Sequence, residues 1–234
     1  MNYGDTVILE GFHACKHAVR FGADILELVT ADKKLLETML EEHAPDVSEQ
    51  ILSKVKEIDS HKFDAYSNVK IRTPLAGTAK VPQALIDAEN SRPVVLLDNP
   101  RDLENIGAVV RLAAGMGCAA VVTTGDVNPW HKNCLRGSQG LHYALPVLHQ
   151  NDLDINFFDD KTIVAFDERG IDISEVKEMP TKNVVLAFGS ERAGMSLELK
   201  GRANELVKIP QRDGVASYNL ATSVAMGVYH FKYK

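Results

Sequence analysis

The feature that most narrows the fold is a run with no polar side chain in it, Val184-Val185-Leu186-Ala187-Phe188, which stops abruptly at Gly189-Ser190-Glu191. A strand with one wet face alternates apolar and polar residues. An unbroken apolar run must instead be covered on both faces, as in a parallel sheet. Val94 to Leu97 is another such run, and largely apolar runs recur at Cys118 to Thr123, Lys161 to Phe166 and Leu206 to Ile209. Helical patterns separate them, notably Asn105 to Met116, with Ile106, Val109, Val110, Leu112, Ala113 and Met116 apolar and Gly117 as its stop. The final helix is predicted from Leu220 to Tyr229. This alternation implies an α/β fold with a mostly parallel sheet and helices on both faces. Ligands collect at the carboxyl ends of such strands. Two strands here end in glycine- or proline-broken polar loops, Gly189 to Ser196 and Gln211 to Asn219.

A smaller α/β module precedes this region. Residues 5–10 predict a strand, Phe12 to Phe21 a helix stopped by Gly22, and Ile25 to Thr30 a second strand. Asp32 stands where an N-cap belongs before the helix Leu35 to His43. A further helix is expected over Val47 to Val55 and a partly extended piece over Phe63 to Ile71. Pro74, Gly77 and Pro82 mark Thr73 to Pro93 as a linker region. The expected domains are therefore 1–85 and 86–234.

At 45% hydrophobic and 25% charged residues, 234 residues can bury a real core. No apolar run approaches the ~20 residues that span a bilayer, and Met1 to Asp5 lacks the regions of a signal peptide. Three widely separated cysteines, Cys15, Cys118 and Cys134, predict a cytoplasmic protein without disulfides. The net charge of −6 does not advertise a nucleic-acid binder. Up to Arg92 there are 11 Lys and Arg against 15 Asp and Glu, and beyond it 15 against 17. RNA contact would need a local patch, for which Arg20, Arg101, Lys132, Arg136 and Arg192 are candidates.

Three stretches carry possible chemistry. In Asn105-Ile106-Gly107-Ala108-Val109-Val110-Arg111, Asn105 could cap the helix and Gly107 permit close approach, with Arg111 either functional or a surface arginine. In Gly189 to Ser196, backbone N–H groups could hold an anion or an adenine edge, or simply turn the chain with Glu191 favouring a helix N-terminus. Ser217 or Asn219 could orient a site or cap the last helix. The fingerprints of dinucleotide and phosphate loops are absent, which argues against a nucleotide-binding metabolic enzyme. His131 and Cys134 have no further ligands grouped with them, so no metal is expected.

Taken together and in order, Asn105-x-Gly107-x-x-x-Arg111, Gly189-Ser190-Glu191-x-x-Gly194, and Ile209-Pro210 followed by Ser217-x-Asn219 resemble the three motifs of the SpoU/TrmH family of the SPOUT superfamily. Arg136-Gly137-Ser138-Gln139-Gly140 is similar to an Arg-x-Ser-x-Gly segment of that family. The first module, with Leu9-Glu10-Gly11-Phe12-His13-Ala14, more loosely resembles a ribosomal-protein-like substrate-binding domain. The resemblance implies a parallel α/β sheet with a deep trefoil knot, a homodimer, and transfer of a methyl group from S-adenosylmethionine to a ribose 2′-hydroxyl of ribosomal or transfer RNA, with the N-terminal module favouring ribosomal RNA. It implies cofactor contacts at Ala187, Phe188, Gly189, Ile209 and Tyr218. On the family pattern Arg111 activates the hydroxyl, Asn105 and Glu191 fix the arginine, and Ser217 and Asn219 orient the site. An arginine side chain is a very poor base, so Arg111 is read here as an orienting and phosphate-pairing group. The family usually has Leu where this chain has Tyr218. The other class of function to weigh is a catalytically silent, knotted RNA-binding or ribosome-associated protein. Its hallmark would be loss of Arg111, Glu191 or Asn219, all of which are present.

Overall fold

The computed structural model describes residues 5–67, 70–87, 91–154, 158–176, 182–214 and 217–233. The chain divides into two compact units, one of residues 1–83 with 130–144, the other of residues 84–129 with 145–234. The excursion 130–144 lies within the range expected for the second domain but packs with the first.

In the first unit a four-stranded sheet has the order β1-β4-β2-β3, formed by β1 (Thr6–Glu10), β2 (Ile25–Thr30), β3 (Val55–Glu57) and β4 (Ala76–Lys80). Helices α1 (Phe12–Arg20), α2 (Lys33–His43), α3 (Ser48–Leu52) and α4 (Ser60–Asp64) complete it. Leu9, Phe12, Leu28, Leu36, Leu40, Ile51 and Leu75 form its core. Asp32 caps α2, accepting from the backbone N–H of Leu35 at 2.9 Å. Two expectations are corrected. The helix over Val47 to Val55 is shorter, because Val55 pairs with Leu28 as the start of an edge strand. The linker region contains β4, an interior strand. Its Gly77 passes so close to β2 that a Cβ there would lie 2.4 Å from the Glu27 carbonyl oxygen. The excursion contributes α6 (Lys132–Gly137), with Cys134 and Leu135 buried.

The second unit holds a six-stranded sheet, every pair parallel, in the order β10-β8-β9-β5-β6-β7. Its strands are β5 (Val94–Asp98), β6 (Ala120–Thr124), β7 (Val147–Gln150), β8 (Thr162–Asp172), β9 (Val184–Gly189) and β10 (Glu205–Lys208). The apolar runs are buried as their composition requires: Val95, Leu96, Val185, Leu186 and Ala187 are fully inaccessible. Helices α5 (Leu103–Met116) and α8 (Leu220–Tyr233) pack together, and α7 (Leu197–Arg202) follows β9. Strands β5, β6 and β7 run outward to one edge, whereas β8 and β10 build the other side. The order therefore reverses between β5 and β9, the position at which open parallel sheets form a crevice.

Candidate active site

Strands β5 and β9 end level with one another, Asp98 opposite Gly189, so their loops leave the sheet side by side. Asp98 braces them. Its buried carboxylate accepts from the backbone N–H of Ser196 at 2.7 Å and from Thr124 Oγ1 at 3.0 Å. Thr124 Oγ1 in turn accepts from the Asn99 N–H at 2.9 Å. The bracing role of Asp98, Thr124 and Ser196 has no local sequence signal, because it depends on partners that only the fold brings together.

After β9 the chain makes a tight loop. Ser190 and Gly194 exchange two backbone hydrogen bonds, each 3.0 Å. A Cβ on Gly189 would lie 2.2 Å from the Gly194 carbonyl carbon and 2.3 Å from the Met195 nitrogen. Only glycine permits that approach. The loop hands over to α7 through Ser196, whose Oγ accepts from the Leu199 N–H at 3.3 Å. Glu191 is thus not at the helix N-terminus, and its side chain is left for other work.

Asn105 is not a helix cap either. Asp102 caps α5, accepting from the Asn105 N–H at 2.8 Å. Asn105 therefore sits inside the first turn with its amide free. That amide donates from Nδ2 to Glu191 Oε1 at 2.7 Å and accepts at Oδ1 from Asn219 Nδ2 at 2.8 Å. Asn219 also caps α8, its Oδ1 accepting from the N–H groups of Ala221 at 2.9 Å and Thr222 at 3.3 Å. Of the two alternatives weighed for Asn219, a site residue or a cap, the structure shows the cap, and the same side chain also reaches Asn105. Residues 86 and 114 positions apart are joined in a single hydrogen-bonded chain across the reversal of strand order.

Arg111 stands outside this chain. Six residues after Asn105, it is rotated by about 120° around the helix, on the exposed side of α5 opposite Ile106, Val109, Val110 and Ala113. It makes no side-chain hydrogen bond among the described residues. Asn105 and Glu191 hold each other rather than the arginine.

Glu191 lies on the wall of a cavity of about 820 Å³ at the ends of β8, β9 and β10. Phe188, Gly189, Ile209 and Tyr218 of the expected cofactor contacts line it, as does Ser217, whereas Ala187 is buried within β9. Phe166 and Phe188 stack in its wall with ring centroids 4.3 Å apart. Tyr218 donates its hydroxyl to the Pro210 carbonyl at 3.1 Å, a bond the leucine usual at this position could not make. On the same wall Asp167 meets Lys200 Nζ at 2.7 Å and Arg169 Nε at 3.0 Å. The Arg169 hydrogen bond, with help from Lys200, holds the Asp167 carboxyl well below the usual carboxylate range despite partial burial.

Four of the five cations considered for RNA contact are neutralised. Arg20 forks onto Asp46 at 2.6 Å, Arg101 meets Asp126 at 2.9 Å, and Glu10 takes Arg136 at 3.0 Å and Lys132 at 3.6 Å. Arg192, on the cavity wall, is exposed. No group of His, Cys, Asp and Glu suited to a metal occurs among the described residues, and no described helix is long and apolar enough to cross a membrane. All three cysteines are buried thiols outside any disulfide.

Residues 92–229 match the SpoU rRNA Methylase family. Among curated relatives, the 23S rRNA (adenosine(1067)-2′-O)-methyltransferase of Streptomyces laurentii is 36% identical over 65% of this chain and 60% of its own length. The 23S rRNA (guanosine(2553)-2′-O)-methyltransferase RlmP of Bacillus subtilis is 24% identical over 97% of this chain and 89% of its own. Two solved structures superpose with a TM-score of 0.80 over 97% of this chain: an AdoMet-bound rRNA methyltransferase from Sinorhizobium meliloti (22% identical, 87% of its chain) and the SpoU methyltransferase AviRb from Streptomyces viridochromogenes with AdoMet (18%, 89%). With a family match spanning more than half of its length and the fold to go with it, the chain belongs to the SpoU rRNA methylase family.

Proposed function

We propose that this enzyme transfers a methyl group from S-adenosylmethionine to a ribose 2′-hydroxyl of ribosomal RNA. The observation that carries the reading is the hydrogen-bonded chain Asn219–Asn105–Glu191, which draws the three sequence motifs together and ends on the cavity wall. The named activities of the relatives from S. laurentii and B. subtilis support ribosomal RNA as the substrate class.

The residues present fit the cofactor. The cavity has the size of a small-molecule site. The Phe166–Phe188 pair and Ile209 offer an apolar wall for an adenine, and the turns at Gly189 to Gly194 and beyond Lys208 bring backbone groups beside it. The sulfonium supplies the activated methyl, so the protein has mainly to position the ribose hydroxyl and manage its proton. Glu191 and Ser217 face the space in which that hydroxyl would lie. Arg111 pairs with an RNA phosphate and orients the nucleotide. A trefoil knot formed by the segments around β9 and β10, a homodimer, and RNA docking by the first unit complete the proposal. The parallel pairing of β10 beside β8 and the packing of α8 against α5 support the first of these.

The test is methyl transfer from radiolabelled S-adenosylmethionine to unmodified ribosomal RNA, followed by mapping of the labelled nucleotide. Label at one 2′-O-methyl position is expected, with Arg111→Ala losing turnover while cofactor affinity is kept. Neither label nor cofactor binding in the wild type would overturn the reading in favour of a silent RNA-binding protein.

A further inference from the structure

We propose that the chain of hydrogen bonds from Asn219 through Asn105 to Glu191 has a direction imposed by the N-terminus of α8. Asn219 is then a positioning residue that turns the Asn105 amide group toward Glu191 and engages Glu191 as an acceptor on the cavity wall. Its bearing on catalysis rests on the methyl-transfer reading, whereas the direction itself stands on geometry.

The oxygen and nitrogen of a carboxamide have nearly the same shape, so an asparagine can be turned over at little steric cost. At Asn219 that freedom is removed. The backbone N–H groups of Ala221 and Thr222 can only donate, and both point at one atom of the amide. That atom must be the oxygen. The other atom, Nδ2, is therefore a donor, and the Asn105 atom 2.8 Å from it must be an acceptor, Oδ1. Asn105 in turn has only Nδ2 left for Glu191, at 2.7 Å. Each step leaves one choice. The polarity of a helix terminus is thus carried through two side chains to a carboxylate. Glu191 Oε1 is occupied, and its other oxygen is left for a donor in the cavity, such as a ribose hydroxyl.

This separates two roles of Asn219 that a simple truncation would confound. Aspartate caps a helix about as well as asparagine but has nothing to donate. Asn219→Asp therefore keeps the cap and breaks the direction. It sets an acceptor against Asn105 Oδ1, and the amide turns over to present oxygen to Glu191, so that two acceptors face each other. Asn219→Ser keeps a cap with a side chain too short to reach Asn105.

The experiment uses the full-length chain with three readouts: the side-chain NH₂ resonances of Asn105 in the ligand-free protein, the melting temperature, and kcat and KM with S-adenosylmethionine and unmodified ribosomal RNA. In the wild type the Asn105 amide protons are expected to exchange slowly and to shift when Glu191→Ala removes their acceptor. In Asn219→Asp they should shift and no longer respond to Glu191→Ala, because they now donate to the carboxylate at position 219 rather than to Glu191, with Tm within about 2 °C of the wild type. The kcat should fall on the order of a hundredfold, the scale of misplacing a reacting group, with KM for S-adenosylmethionine unchanged. Unaltered Asn105 signals in Asn219→Asp would overturn the proposal, whether or not Tm or kcat falls, because Asn219 would then be only a cap. Unaltered kcat beside altered signals would overturn its catalytic part. If the wild type transfers no methyl group at all, the methyl-transfer reading fails, and the amide resonances still decide the direction of the chain.

Discussion

Replacing Gly189 by alanine tests the most demanding piece of geometry at the site. The new methyl would lie 2.2 Å from the Gly194 carbonyl carbon and 2.3 Å from the Met195 nitrogen. Carbon atoms in contact rest at about 3.5 Å or more, so the loop must retreat by about 1.3 Å. Its neighbours are backbone atoms, and no rotamer change relieves the clash. The retreat breaks the pair of 3.0 Å hydrogen bonds between Ser190 and Gly194. At roughly 1 kcal/mol each, their loss destabilises the protein by about 2 kcal/mol, a fall in Tm of about 4–8 °C for a chain of this size. Because Glu191 is inside the loop, the displacement also pulls its carboxylate from Asn105. Gly189→Ala is therefore expected to lose methyl transfer more completely than its loss of stability at the assay temperature accounts for. Thermal unfolding, calorimetric titration with S-adenosylmethionine, and turnover would be compared. A variant with wild-type Tm and wild-type cofactor affinity would refute the claim that this close approach shapes the site.

Asp167→Asn should destabilise at neutral pH and much less in acid. The depressed folded-state pKa of Asp167 contributes stability above the ordinary carboxylate pKa of about 4 that is lost as pH falls through the folded value. Urea midpoints of the two proteins should accordingly converge below about pH 4. Tyr218→Phe removes the hydroxyl held by the Pro210 carbonyl at 3.1 Å. It should weaken cofactor binding by about three- to tenfold, the worth of one such bond, with Tm nearly unchanged; equal affinity by titration would show that the bond does not shape the cavity. Glu10→Ala leaves Lys132, Arg136 and Ser67 without their shared, almost fully buried carboxylate. It should cost about 1–3 kcal/mol in denaturant unfolding, and a change under 0.5 kcal/mol, as expected of an ordinary surface position, would count against an anchoring role.

What was legible in the sequence and what was not divide along one physical line. Strands β5, β6 and β9 announce themselves because both of their faces are buried, which only apolar side chains tolerate. Strand β4, Ala-Gly-Thr-Ala-Lys, does not, because what makes it a strand is the room that Gly77 leaves for the Glu27 carbonyl, a requirement set by a segment fifty residues away. The start of α5 was placed too late because Asp102 and Asn105 are both competent caps, and local sequence offers no way to choose between them. That choice had consequences for the site: an Asn105 spent on capping could not have bridged Asn219 and Glu191. The residues of the three motifs could be named from their resemblance, but not their connection, and Arg111 was given partners that instead bind each other.

The acidic balance of the chain makes RNA affinity a quantitative question. Counterions released from the nucleic acid drive such binding, each phosphate neutralised by a free cation adding about 0.7 to the slope of log K against log salt for single strands. A cation that must first leave a carboxylate contributes less, since the abandoned carboxylate gathers a counterion in its place. Arg20, with its two hydrogen bonds to Asp46, is in that position. Arg192, exposed and without a carboxylate partner among the described residues, is not. Arg192→Ala is therefore expected to flatten the salt dependence of ribosomal RNA binding by about 0.7, while Arg20→Ala changes it by much less. Fluorescence anisotropy over a salt series measures both slopes. If Arg20→Ala flattened the dependence as much as Arg192→Ala, the Arg20–Asp46 pair would have to open on binding, and the balance of free cations drawn from the structure would be wrong.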